Sequence, residues 1–158
     1  MADPTSLSFH FADPEETAAF AARLAPDLVP GDVILLEGDV GAGKTHFARS
    51  LIRARLDPPE DIPSPTFTLV QTYAGDDVEI WHADLYRLTS TQEVEELGLA
   101  EAFETAICLV EWPDRLGPLA PADALTLHLA VGDGDAMRRM TARWQSGRWG
   151  DRLNRAAA

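Results

Sequence analysis

Lysine is almost missing from this chain. Lys44 is the only one, and the other twelve basic residues are all arginine. Cysteine is equally scarce: Cys108 stands alone, which excludes an internal disulfide framework and every multi-cysteine zinc module, and suits a reducing compartment. No apolar run approaches the roughly 18 residues of a membrane span, and the first eleven residues lack the basic start and apolar stretch of a secretory signal. The expectation is a cytoplasmic protein without a membrane role. Positive charge is also short. Thirteen Lys and Arg face twenty-six Asp and Glu for a net −13, which argues against autonomous binding to DNA or to an RNA backbone.

What is present suffices for a folded core. With 46% hydrophobic and 25% charged residues, the composition is that of a globular chain. At this length about 70% of the unfolded surface can be buried, so neither disulfides nor a structural metal is needed. Residues 1–158 read as one domain with a basic end from about 138, where Arg138, Arg139, Arg143, Arg148, Arg152 and Arg155 face only Asp151. That end, with Trp144 and Trp149 interleaved, suits stacking on RNA bases, docking to an acidic protein, or covering a sheet edge.

Residues 6–11 alternate as a strand. Asp13-Pro14-Glu15-Glu16 then supplies an N-cap, a proline at the first helical position and an acid at the third, so a helix follows, with Phe20 and Leu24 on its apolar side, ending before Pro26. Val33-Ile34-Leu35-Leu36 is a continuous apolar run, the pattern of a central strand buried on both faces. A glycine loop comes next, and Phe47, Leu51 and Ile52 mark a helix running up to Pro58-Pro59. Residues 69–73 and 78–85 form an antiparallel hairpin around a glycine-containing turn, and 125–131 and 137–144 form another. Between them, 91–105 is helix-compatible and 107–110 is a second fully buried strand. The sheet is therefore mixed, parallel near the glycine loop and antiparallel at the hairpins.

The loop Gly38-Asp39-Val40-Gly41-Ala42-Gly43-Lys44-Thr45 matches GxxxxGK[ST]. Glycines permit positive φ and close backbone approach, so successive N–H groups can form an anion-binding concavity at a helix N-terminus. The Lys44 ammonium can reach β and γ phosphates, and the Thr45 hydroxyl can coordinate Mg²⁺ between them. In an arginine-rich chain, placing the sole lysine here is itself informative, because a compact ammonium seats among phosphate oxygens more readily than a planar guanidinium. The expected fold is α/β, a P-loop NTPase-like three-layer α/β/α arrangement around the mixed sheet.

The same lysine count removes guanine-specific GTPases, whose N/T-K-x-D base reader needs a second lysine, so Asp114-Arg115-Leu116-Gly117 is a chance DxxG. A phosphate loop needs a carboxylate from a neighbouring strand to hold Mg²⁺, and Asp84 and Glu111 both qualify, each at a strand end. Ser64-Pro65-Thr66-Phe67, after Pro63, holds hydroxyls in a stiff extended segment, with Thr66 as a γ-phosphate or metal sensor. His10, His46, His82 and His128 lack metal-ligand spacing, and Cys108, between Ile107 and Leu109, reads as a buried small hydrophobe.

The phosphate loop, Ser64-Pro65-Thr66-Phe67, His82-x-Asp84-Leu85-Tyr86-Arg87 and Glu111-Trp112-Pro113, in this order, resemble the TsaE (YjeE) family across roughly residues 38–113. The resemblance implies a small ATPase, weak alone and stimulated by partners, that acts with TsaD and TsaB in threonylcarbamoyl modification of adenosine 37 of tRNA, with tRNA met indirectly through the complex. It implies ATP bound by Gly38, Asp39, Val40, Gly41, Ala42, Gly43, Lys44, Thr45 and His46. Mg²⁺ is then held among Thr45, Asp84 and Glu111, and the catalytic set is Lys44, Asp84, Glu111 and Thr66. Trp112 packs near the nucleotide or faces a partner. His46 departs from the family pattern, which has a hydroxyl residue there, leaving the backbone amide to meet the α-phosphate. Two other classes keep the loop: a small-molecule kinase, which needs an acceptor pocket and an arginine-bearing lid, and a nucleotide-gated binding module without turnover. The motifs name no water-positioning base: Asp84 or Glu111 could serve only if the other holds the metal, and Arg87 or Arg115 can supply a cationic finger.

Overall fold

The structure, a computed structural model, describes residues 5–56, 70–75, 78–134 and 136–157. Strand β2 (Val33–Glu37) lies in the middle of a seven-stranded sheet, where its four apolar residues are buried on both faces as their unbroken run requires. The other strands are β1 (Ser6–Phe11), β3 (Val70–Ala74), β4 (Glu79–Asp84), β5 (Ile107–Glu111), β6 (Leu125–Val131) and β7 (Arg138–Arg143), in the spatial order β1-β7-β6-β2-β5-β4-β3. β2 runs parallel to β5 and β6, and β5 parallel to β4. The outer pairs β3/β4, β6/β7 and β1/β7 are antiparallel. Both hairpins read from the sequence are thus present, flanking a parallel centre.

Alternation sorts the strand residues into two cores. Ile34 and Leu36 of β2 and Ile107 and Leu109 of β5 join Phe20, Leu24, Phe47, Leu51 and Ile52 on one face. Val33, Leu35, Cys108 and Val110 join Val94, Leu99 and Phe103 on the other. The first face is covered by α1 (Pro14–Leu24), α2 (Lys44–Arg55) and α5 (Arg148–Ala157), and the second by α3 (Thr91–Glu96) and α4 (Leu99–Thr105), giving three layers. The start of α1 follows its sequence signal: Asp13 accepts from the Glu16 amide at 2.9 Å, Pro14 opens the helix, and the Glu16 carboxylate takes the Ala12 amide at 2.6 Å.

The segment 91–105 differs from the single helix its composition allows. It breaks at Gly98, whose φ of +82° ends the helical path between α3 and α4. The end of the chain differs more. Helix α5 is absent from the sequence reading, although Trp149, Leu153 and Ala156, at helical spacing, are its buried side. Arginines interrupt that stripe, and the structure pairs three of them with acids of the same chain. Asp32, 1% exposed, receives Arg152 at 2.8 Å and Arg148 at 3.2 Å, while Arg155 meets Asp27 at 3.1 Å. These three arginines tie α5 to acids of the preceding body.

Candidate active site

The glycine loop leaves β2 at Gly38 and enters α2 at Lys44, the strand–loop–helix order expected from sequence. Gly38 has φ +141° and a Cβ there would lie 2.4 Å from the Leu129 carbonyl oxygen, so only glycine lets the loop pass so close to β6. Gly43, at φ +104°, is the left-handed N-cap of α2. The amides of Lys44, Thr45 and His46 precede the first helical bond, made by Phe47 to the Gly43 carbonyl at 2.9 Å, and so form the free donor end of the helix.

Lys44 is 5% exposed. Its ammonium donates to the carbonyl of Gly38 and, at 3.4 Å, to that of Asp39, and sits 3.6 Å from the centre of the Trp112 ring. Burial pushes its pKa below the ordinary lysine value, against the opposing pull of Glu111, Asp84, Asp39 and Asp114. Trp112 reaches this position because its backbone turns left-handed (φ 60°, ψ 55°) as the chain leaves β5, and its ring also packs on Tyr86 at 4.9 Å. Such a conformation costs a non-glycine residue on the order of 1–3 kcal/mol.

The acids come from adjacent strands. In the parallel β4/β5 pair Asp84 stands opposite Glu111, and both project to the α2 side because they continue the Ile80-His82 and Ile107-Leu109 alternation. Glu111, 2% exposed, accepts the Thr45 hydroxyl (2.8 Å to Oε1, 3.0 Å to Oε2), and its Oε2 lies 2.7 Å from His82 Nε2. Asp84 is less enclosed. Its Oδ1 accepts the Tyr86 amide at 3.1 Å, and burial raises its pKa, helped by Glu111 and countered by that hydrogen bond and by His82 and Lys44.

Lys44, Thr45, Asp84 and Glu111 converge on one cavity of about 560 Å³, with Gly41, Gly43, Trp112 and Arg138 also in its wall. The donor set there is a hydroxyl and two carboxylates, hard oxygens suited to Mg²⁺. Among the described residues no three His, Cys, Asp or Glu side chains gather as a metal cage, and an ion shared with phosphate oxygens needs none.

A family model described as "Threonylcarbamoyl adenosine biosynthesis protein TsaE" matches residues 11–140. The chain belongs to the TsaE family. Among its relatives, the Rickettsia bellii protein named tRNA threonylcarbamoyladenosine biosynthesis protein TsaE is 42% identical over 121 residues, 77% of this chain and 84% of that one. The Bacillus subtilis protein of the same name is 38% identical, over 85% of this chain and 84% of that one. The crystal structure of Bacillus subtilis YdiB superposes with a TM-score of 0.80 at 28% identity, covering 99% of this chain and 97% of that one.

Three features of this TsaE-family site were not assigned from sequence. Arg138, on β7, two strands from β2, donates from Nε to the Ala42 carbonyl at 3.0 Å and from a terminal nitrogen to the Gly41 carbonyl at 3.3 Å, gripping the glycine loop by its carbonyls. His46 turns its ring out to the Pro14 carbonyl at 2.9 Å, so its side chain ties α2 to the start of α1. His82, in sequence only part of a motif, lies behind Glu111, outside the residues that line the cavity. Thr66 and its proline-flanked segment fall outside the described residues. Arg87 lines the cavity, whereas Arg115 pairs with Asp114 at 3.2 Å. No described helix is long and apolar enough to cross a membrane.

Proposed function

We propose that this chain binds MgATP at the glycine loop and hydrolyses it, in support of tRNA threonylcarbamoyladenosine biosynthesis with TsaD and TsaB as partners. The observation that carries the reading is the pairing of Thr45 with Glu111 at the free end of α2, next to the chain's only lysine. An exposed amide row, a buried ammonium and a hydroxyl–carboxylate pair within one cavity are what a polyphosphate with a divalent ion requires.

Each residue then has a task. The loop amides and Lys44 bind phosphate oxygens and stabilise the negative charge of the transferring group. Lys44 must leave the carbonyls of Gly38 and Asp39 to do so, which makes the loop's own oxygens its resting partners. Thr45 and Glu111 would hold the metal, which when bound would supply positive charge to the phosphates. Asp84, facing the same cavity with the Tyr86 amide as its one hydrogen-bond donor among the described residues, is the acid left to orient the attacking water and take its proton. Its upward pKa shift is in the direction a general base needs. The names of the relatives supply the pathway, and the partners follow from the family resemblance.

The test is calorimetry with MgATP and an ATPase assay with and without the TsaD and TsaB proteins. Slow turnover alone that rises with both partners is expected. A Lys44→Ala chain that bound and hydrolysed MgATP normally would overturn the assignment. Turnover only with a small acceptor would point to a kinase, and binding without turnover to a gated module.

A further inference from the structure

His82 is fully buried, in the middle of β4, where its neighbours in alternation are Ile80 and Asp84 and its cross-strand partner is Leu109. An imidazole in such surroundings carries a desolvation cost that an aliphatic side chain would not. It makes one hydrogen bond, Nε2 to Glu111 Oε2 at 2.7 Å; Nδ1 is buried with no partner among the described residues. A carboxylate is an acceptor only, and with Nε2 as the donor the Glu111 group receives both the imidazole and the Thr45 hydroxyl. The result is a line of three side chains from three elements: His82 on β4, Glu111 on β5 and Thr45 on α2. The register explains it, because Glu111 sits one diagonal step from His82 on the same sheet face.

Stability does not call for this arrangement. Replacing buried polar groups by apolar ones of like volume is commonly neutral or favourable. What the imidazole does is fix a flexible carboxylate. With one oxygen tied to Nε2, Glu111 presents a set face to Thr45 and to the cavity. We propose that His82 is a positioning residue for the metal-binding pair: it orients Glu111, and through it Thr45, toward the divalent ion that accompanies the nucleotide. This rests on the MgATP reading above. The residue lies outside the cavity lining, acts through Glu111 and is not itself catalytic.

Two non-ionising substitutions separate orientation from simple core filling. In His82→Gln the side-chain amide can reach the place of Nε2, and in His82→Asn it stops near that of Nδ1, short of Glu111. A non-hydrolysable ATP analogue is titrated calorimetrically against wild type, H82Q and H82N, across a Mg²⁺ series and in chelator, with thermal melting to confirm folding. The expected result is a Mg²⁺ midpoint displaced upward by about tenfold or more in H82N, the range seen when outer-shell partners of metal ligands are lost. H82Q should stay near wild type, and metal-free nucleotide affinity should hold in all three. Should H82N not fold, H82L replaces it as the variant without a donor. Equal Mg²⁺ midpoints in the three proteins, or metal-free binding weakened by the same factor as metal-bound binding, would overturn the inference while leaving the MgATP reading intact. A wild-type affinity indifferent to Mg²⁺ would overturn both.

Discussion

Arg138 Nε lies 3.0 Å from the carbonyl oxygen of Ala42, a residue 96 positions earlier, and a second guanidinium nitrogen reaches Gly41. Because a trans peptide points its carbonyl and the next amide N–H in opposite directions, holding the Ala42 carbonyl also sets the plane carrying the Gly43 amide, while the Ala42 amide is itself tied to the Asp39 carbonyl at 3.0 Å. One arginine from β7 thus braces the loop that, in the proposed function, presents donors to the nucleotide phosphates.

Arg138→Ala should therefore weaken nucleotide binding by about tenfold, the size expected for losing charged hydrogen bonds to the loop. Arg138→Lys should recover little, since one ammonium cannot replace a planar fork. Calorimetry with a nucleotide checks both, and wild-type affinity in Arg138→Ala would rule out the brace.

Gly38 and Gly41 predict opposite tolerances within one loop. Gly38→Ala meets the Leu129 carbonyl at 2.4 Å and should cost at least about 3 kcal/mol, by clash and strained φ together. Gly41, at φ +84° with nothing within 4 Å of an added Cβ, should cost only about 1–2 kcal/mol as alanine. Urea unfolding of the two variants gives the comparison, and equal losses would contradict it.

Asp84→Asn should make the nucleotide-free protein slightly more stable at neutral pH while abolishing turnover. Burial raises the Asp84 pKa in the fold, so the native state binds more protons than the unfolded chain between the ordinary carboxylate value and the raised one. Stability from this group falls as pH rises through that window, and the asparagine variant lacks the fall. The gain is under about 1 kcal/mol because the carboxylate is partly exposed and screened. Melting temperatures across the acid range decide it.

Lys44 titrates in the other direction. Burial lowers its pKa in the free protein, and a phosphate beside it would raise that value again, so binding in alkaline buffer should take up protons. Calorimetry at about pH 9 in buffers of different ionisation enthalpy measures the uptake, which should vanish in Lys44→Ala.

Removing Arg152 leaves the buried Asp32 with Arg148 as its charged partner, at 3.2 Å. Arg152→Ala should destabilise by about 1–3 kcal/mol, whereas Arg139→Ala, on an exposed residue, should stay within about 0.5 kcal/mol. Denaturant midpoints distinguish a structural clamp from a surface reserved for a partner.

Much of this protein was legible from neighbours along the chain. Steric freedom at glycine, the doubly buried run at 33–36, the Asp13 cap and the period-2 hairpins are local properties, and they placed β2, the loop, α2 and both hairpins. They also named Lys44, Thr45, Asp84 and Glu111. Helix α5 was legible too, in the spacing of Trp149, Leu153 and Ala156, but its arginines suited RNA, an acidic partner or a sheet edge, because their acidic partners Asp27 and Asp32 lie far away in sequence.

Tertiary structure decided what depends on register and closure. Only the β4/β5 pairing sets Asp84 opposite Glu111 and puts His82 behind it, and only the β6/β7 hairpin folding back across the sheet brings Arg138 to the loop. Periodicity tells a side chain which face it takes, but not which residue on another strand shares that face. That second choice is made when distant segments close on one another, and it turned a list of motif residues into a site.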